Sequence, residues 1–227
     1  MLTNSGQSLA RQRDGALSSE TMVNAWRRAV TTACTLLTLL ALARPAAAAS
    51  APGSTTLGPL RHVTQTLNNC GPASVAEVLD YWGIEKTQGE LAAILRHGTA
   101  LMSTDDVADY LPTIGLREYI GNSGTDSTLK TLLDNGLPVI VAQSVTLLNS
   151  FPHFRPIEAY DDGRQQFTAS DPLLGAGYRM TYASFDKMWA ESDNTFLVIY
   201  PPTMQHALDA AISGSGFDGL SWMTPFD

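Results

Sequence analysis

The tightest constraint in this chain is one junction, Cys70-Gly71-Pro72. Pro72 has no backbone N–H and suits the first turn of a helix, where that donor has no partner to lose. The apolar positions that follow (Ala73, Val75, Ala76, Val78, Leu79, Trp82) recur at the spacing of a strongly buried helix, and Gly83 is a stop signal. A helix therefore begins at or just after Cys70. Its thiol sits where the positive end of the aligned peptide dipoles favours a thiolate.

Cysteine usage adds weight to that placement. The chain has 2 cysteines, Cys34 and Cys70. Residues 1–21 are polar, but from Met22 the pattern changes to Trp26-Arg27-Arg28, an apolar run from Ala29 to Ala43, Pro45, and Ala46 to Ala49. A basic start, a short apolar stretch and an Ala-x-Ala end make a secretory signal. The run is about fifteen residues at ~1.5 Å each, too short for a comfortable permanent span. This reading puts the translation start at Met22 and cleavage between Ala48 and Ser50, within an N-terminal extension and signal covering residues 1–49. Arg27-Arg28 alone is weak support for a twin-arginine signal. Cys34 falls in the removed segment, which leaves Cys70 as the one cysteine of an exported chain, secreted or periplasmic and without a membrane span. Such a thiol has no partner for an internal disulfide. It is either a buried small hydrophobe or a nucleophile.

Charge excludes one class of partner. Lys and Arg number 14 against 22 acids, and residues 1–49 hold five of the Arg and two of the acids. The remainder thus carries nine bases against twenty acids, a net charge of −11. That surface repels phosphate backbones and anionic membranes. Cofactor signals are also weak. Gly214-Ser215-Gly216-Phe217-Asp218-Gly219 matches a dinucleotide fingerprint by letter, but no strand precedes it. One cysteine and scattered histidines do not supply a structural zinc site, and Asp105, Asp106 and Asp109 read as a solvated helix face. No cofactor and no metal are expected.

A thiolate needs a base, and four histidines are available: His62, His97, His153 and His206. His62 precedes a loop, His97 ends a helix opened by a capping-box pattern at Thr87 and Glu90, and His206 lies in a polar C-terminal stretch. His153 opens an extended segment that runs to Tyr160, followed by Asp161-Asp162-Gly163 and a second extended segment from Gln166 to Asp171, the pattern of a β-hairpin. A three-residue loop with Gly163 left-handed sets Asp171 directly opposite His153, at roughly 4.5–5.5 Å between Cβ atoms. The carboxylate then holds Nδ1–H and leaves Nε2 for the thiol. A two-residue loop pairs His153 with Pro172 instead. Arg155-Pro156 interrupts the strand, and since proline cannot donate to a ladder, the segment is at an edge or bulged. Gln65, five residues before Cys70, can place a side-chain N–H beside the Cys70 backbone N–H, the two donors an oxyanion needs.

Gln65-x4-Cys70-Gly71-Pro72-Ala73-Ser74, then Tyr81-Trp82-Gly83, His153-Phe154 with Tyr160-Asp161, and Asp171-Pro172 resemble the papain-like cysteine peptidases related to the double-glycine, bacteriocin-processing group. The resemblance spans roughly Leu60 to Tyr200. It implies an α+β papain-like fold, with Cys70 the nucleophile, His153 its base, Asp171 the partner of the histidine and Gln65 the oxyanion donor. The rest of the pattern is compatible with that fold. Helices are expected at Thr87 to Arg96, Thr104 to Leu111, Ser127 to Asp134 and Ser184 to Ala190, and strands at Leu137 to Ala142, in the hairpin and at Asn194 to Tyr200. A helical half would carry Cys70, and an antiparallel sheet half His153 and Asp171, with the cleft between them. One domain spans 50–203, followed by a tail at 204–227.

The expected activity is hydrolysis of peptide or protein substrates through a thioester, by a monomer. An acyltransferase or transglutaminase-type enzyme and a non-catalytic peptide-binding protein on the same fold are the alternatives. N-terminal sequencing of the exported protein is expected to begin between residues 49 and 51; an intact residue 1 would refute the export signal.

Overall fold

The computed structural model describes residues 53–58 and 60–215. The expected signal at 1–49, the start at Met22, most of the Gly214 to Gly219 motif and the stretch 216–227 with Trp222 and Phe226 lie outside the described residues.

Among the described residues, six helices and a seven-stranded antiparallel sheet alternate along the chain. They are β1 (Ser54–Thr56), α1 (Cys70–Tyr81), α2 (Gln88–Leu95), α3 (Thr104–Tyr110), β2 (Arg117–Gly121), α4 (Asp126–Asp134), β3 (Val139–Thr146), β4 (Asn149–Asp161), β5 (Gln166–Asp171), β6 (Gly175–Thr181), α5 (Tyr182–Ala190), β7 (Phe196–Tyr200) and α6 (Gln205–Gly214). The sheet order is β2-β7-β3-β4-β5-β6, with the short β1 added to β4.

Alternation along the strands decides which helices lie on which face. In β7, Leu197 and Ile199 join Val75, Val78 and Leu79 of α1, Leu91 and Leu95 of α2 and Val107 of α3 in one core. Phe196 and Val198 turn the other way, to Leu129 and Leu132 of α4, Phe185 and Trp189 of α5 and Leu208 and Ala211 of α6. A strand buried on both faces reads as a continuous apolar run, and FLVIY does. The architecture is the expected α+β one: α1, which carries Cys70, packs with α2 and α3 on one face of the sheet, and α4, α5 and α6 cover the other. The stretch from 204, read as a tail, carries α6, whose Leu208 and Ala211 are buried in the second core.

The expected helices form close to their predicted bounds, because local caps fix them. Thr87 and Glu90 make the capping box of α2, and Ser103 with Asp106 and Thr125 with Thr128 do the same for α3 and α4. Three strands had no periodic signal. β1 has three residues, β6 contains two glycines (Gly175 and Gly177) at positive φ, and β2 is largely half-buried at the sheet edge.

The β4–β5 hairpin differs from expectation. Its loop has four residues, 162–165, with Gln165 left-handed at φ 53° in place of Gly163. Asp161 is the reason: its side chain accepts the Arg164 backbone N–H at 3.0 Å and pairs with the Arg164 guanidinium, which stabilises the longer turn. The ladder then runs Asp161↔Gln166, Tyr160↔Phe167, Ala159↔Thr168, and slips at a bulge to Ile157↔Ala169, where pairing ends. Continued past that point, this register would set Asp171 beside Arg155, not opposite His153.

Past Ile157, β5 leaves β4, and the N-terminal turns of α1 occupy the place it vacates. Phe154 directs its backbone there. Its carbonyl accepts the Ser74 hydroxyl of α1 at 3.1 Å, and its N–H reaches the Cys70 thiol. Pro156 lies two residues on, with the same backbone orientation, so its missing N–H falls on the side β5 has left. That is how a proline stands inside a central strand paired with Ile140 of β3. Ser74→Ala removes the bolt between α1 and β4 and leaves the Phe154 carbonyl unpaired. The expected loss is about 1–3 kcal/mol, read from urea unfolding.

Candidate active site

Cys70 is the first residue of α1. The residue before it, Asn69, makes no side-chain cap. Its amide instead donates to Thr66 Oγ1 at 2.8 Å and its carbonyl oxygen accepts from Arg96 at 2.8 Å. The first N–H groups of a helix have no partner within it, so the Cys70 and Gly71 donors stay available at the thiol. Burial pushes the thiol pKa up. The His153 hydrogen bond, the Phe154 N–H, the imidazolium charge and the Gly71 N–H outweigh that and bring it below the ordinary thiol range.

His153 stands on β4 opposite Gln143 of β3, 3% exposed. Its Nε2 is 3.0 Å from Asp171 Oδ1, which leaves Nδ1 for the thiol. The expected assignment, Nδ1 to the carboxylate and Nε2 to sulfur, is therefore reversed. The register described above sets Asp171 level with Arg155 rather than directly across from the ring. Burial pushes the imidazole pKa down, but the hydrogen bonds with Asp171 and Cys70 win, and it lies above the usual histidine value.

Asp171 ends β5 and is fully buried. Besides His153, its Oδ1 accepts the backbone N–H groups of Leu173 and Leu174, each at 2.8 Å. Its Oδ2 faces Arg155 Nε at 3.2 Å, an ion pair whose N–H direction falls outside hydrogen-bond geometry. Burial opposes ionisation here too; the His153 bond, the Arg155 charge and the Leu174 N–H hold the carboxyl below its usual range. The four groups form a row of alternating charge: thiolate, imidazolium, carboxylate, guanidinium.

Gln65 lies on the loop before α1, and its backbone N–H donates to the Pro172 carbonyl at 2.9 Å. That bond ties its loop to the turn following Asp171. Its side-chain Oε1 is buried without a hydrogen-bond partner. The other histidines are engaged elsewhere or exposed. His97 pairs with Asp106 at 3.3 Å, and His206 is exposed on α6. Among the described residues, no group of acids, histidines and cysteine could hold a metal ion. None of their helices is long and apolar enough to cross a membrane.

Sequence reasoning missed two residues. Arg155 read only as an interruption of a strand. Glu77, a fully buried acid on α1, read as part of a helix pattern. Glu77 Oε1 accepts the Val63 N–H at 2.7 Å and lies 3.4 Å from His62 Nδ1, which is 3.1 Å from Ser170 Oγ. It joins α1 to the Gln65 loop and to the residue before Asp171. No local pattern marks either residue, because both partners are far away in sequence.

Burial, partly countered by Ser170 and Val63, pushes the Glu77 carboxyl up to about 8. A carboxyl that holds its proton more tightly when folded lowers stability as pH rises from its unfolded value through about 8. Urea unfolding is expected to show that slope, on the order of a few kcal/mol between about pH 5 and 8. Glu77→Gln, which keeps the acceptor for Val63, is expected to flatten it.

A family model described as the Peptidase_C39 like family matches residues 58–196, more than half of the chain. The peptidase domain of Streptococcus ComA, a bi-functional ABC transporter, is a structural neighbour at 19% identity and TM-score 0.52, covering 63% of this chain and 99% of that one. A Bacillus anthracis protein described as C39-like is another, at 14% identity and TM-score 0.53, covering 65% of this chain and 97% of that one. At these identities the likeness is one of fold. A comparison with curated proteins returns no match.

Proposed function

Because the chain belongs to the Peptidase_C39-like family, we propose that it is an exported cysteine peptidase that cuts peptide bonds through a thioester on Cys70. The observation that carries this reading is the hydrogen-bonded row of Cys70, His153 and Asp171 at the open N-terminus of α1. Each perturbed pKa moves in the direction of the charged form, the condition for a nucleophile that is already a thiolate near neutral pH.

In this mechanism the Cys70 thiolate attacks the carbonyl carbon of the scissile bond. The carbonyl oxygen becomes an oxyanion, which the Cys70 N–H and the Gln65 side-chain amide stabilise. His153 gives its Nδ1 proton to the leaving amine as the C–N bond breaks, leaving an acyl-thioester. The neutral imidazole then takes a proton from water, whose hydroxide attacks the thioester. Cys70 leaves as the thiolate, and His153 is again imidazolium. Asp171 keeps the ring aligned and stabilises its positive form. The substrate is a peptide or protein, met outside the cytoplasm, as the pattern of residues 22–49 suggests.

Iodoacetamide labelling mapped to Cys70 in the full chain is expected well below the free-thiol value of about 8.5, and His153→Ala is expected to abolish that advantage. Hydrolysis of a peptide library should vanish in Cys70→Ala and yield free carboxyl products even with added amines. Labelling that tracks an ordinary thiol refutes the nucleophile; amide products in place of acids make the enzyme a transferase.

A further inference from the structure

Arg155 is the residue that the family resemblance leaves without a role. It is fully buried, next to a proline, on the strand that carries His153. A buried guanidinium is costly unless its charge is paired and its donors are matched; here Asp171 pairs the charge and both terminal nitrogens have acceptors. Nη2 donates to the carbonyls of Ser144 and Val145 at 3.0 and 2.8 Å, and Nη1 lies 3.3 Å from the Met180 sulfur. The group lies over the Tyr178 ring, 5.6 Å from its centroid. With three sides fixed, Nε lies 3.2 Å from Asp171 Oδ2, an ion pair made without a hydrogen bond.

We infer that Arg155 is a positioning residue of this site, clamping Asp171 Oδ2 from the side away from His153 and thereby fixing the carboxylate plane on which the imidazole is aligned. The inference rests on the peptidase reading above. Oδ1 is shared by His153 and two backbone N–H groups. On the Oδ2 side, Arg155 is the charge that resists rotation of the carboxylate.

Its charge has a second effect. Thiolate, imidazolium and carboxylate together would leave one negative charge in a buried site, and Arg155 neutralises it. Its field also opposes the imidazolium, which eases release of the Nδ1 proton to a leaving group. The other titratable groups that interact with this pair are Tyr178 on β6 and Glu77 on α1. Glu77 keeps its proton up to about 8 and adds no charge in the acid range.

The test is the pH dependence of Cys70 alkylation by iodoacetamide in the full chain, with folding checked by near-UV circular dichroism. Arg155→Met is expected to move the acid limb up by about one unit or more and to slow alkylation at pH 6 about tenfold. Arg155→Lys keeps the charge but cannot span Asp171 and two carbonyls at once, so its limb is expected to fall between the two. Asp171→Asn is expected to shift the limb by itself, and adding Arg155→Met to it to shift the limb by much less than Arg155→Met does in the wild-type chain. A folded Arg155→Met protein with the wild-type limb overturns the inference, as does a double variant in which the two shifts add in full. Where Arg155→Met does not fold, Arg155→Lys carries the test, and a limb at the wild-type position overturns it. These outcomes are distinct from failure of the peptidase reading, in which the wild-type chain itself alkylates like an ordinary thiol.

Discussion

The site depends on a carboxylate held between two cations. Asp171 is out of water entirely, where an isolated charge is so costly that the group would ordinarily keep its proton. It is ionised because His153 and Arg155 approach it from two sides and two backbone N–H groups donate to Oδ1. Removing one member would strand the others, because a buried charge without its partner is far worse than none. The thiol is the outermost link in that chain. Its acidity comes from the imidazolium, the alignment of the imidazolium from the carboxylate, and that of the carboxylate from a guanidinium fixed to β3.

Backbone geometry makes the arrangement possible. A regular β4–β5 ladder would have enclosed His153 within the sheet, with no room for a helix end beside it. The bulge after Ile157 and the departure of β5 open a place on β4, and α1 enters it N-terminus first. Asn69 turns its side chain away to Thr66 and Arg96, so the helix arrives uncapped. Of its first donors, the Gly71 N–H reaches the sulfur. The Gln65 N–H to Pro172 carbonyl bond then joins the loop before α1 to the turn after β5. Segments more than a hundred residues apart in sequence thus meet at one point.

Much of this was legible from residues alone, for physical reasons that also explain the failures. Cys70-Gly71-Pro72 fixed a helix start because proline and the apolar period act locally, and the Thr87 and Glu90 capping box did the same for α2. His153 and Asp171 lie within hydrogen-bond distance, but in another register than the one expected. The sequence reading assumed direct opposition across a three-residue turn, whereas the Asp161 side chain lengthens the turn and the contact is diagonal. The nitrogen facing the carboxylate is Nε2, not the expected Nδ1. Arg155 was visible only as an interruption, since its partners, the Ser144 and Val145 carbonyls, Met180 and Asp171, become neighbours only once the sheet has formed. Glu77 was hidden in the same way.

The opening between β4 and β5 would ordinarily be a hazard. A stretch of strand with free backbone groups is a template onto which another chain can add, the usual route to edge-to-edge association. Here the same elements that assemble the chemistry close that route. The Phe154 carbonyl is taken by Ser74 and its N–H by the thiol, and Pro156 presents no donor at all. The gap therefore admits a helix end and refuses a strand, so the residue that looked like damage to the strand also protects the protein from pairing with its own copies.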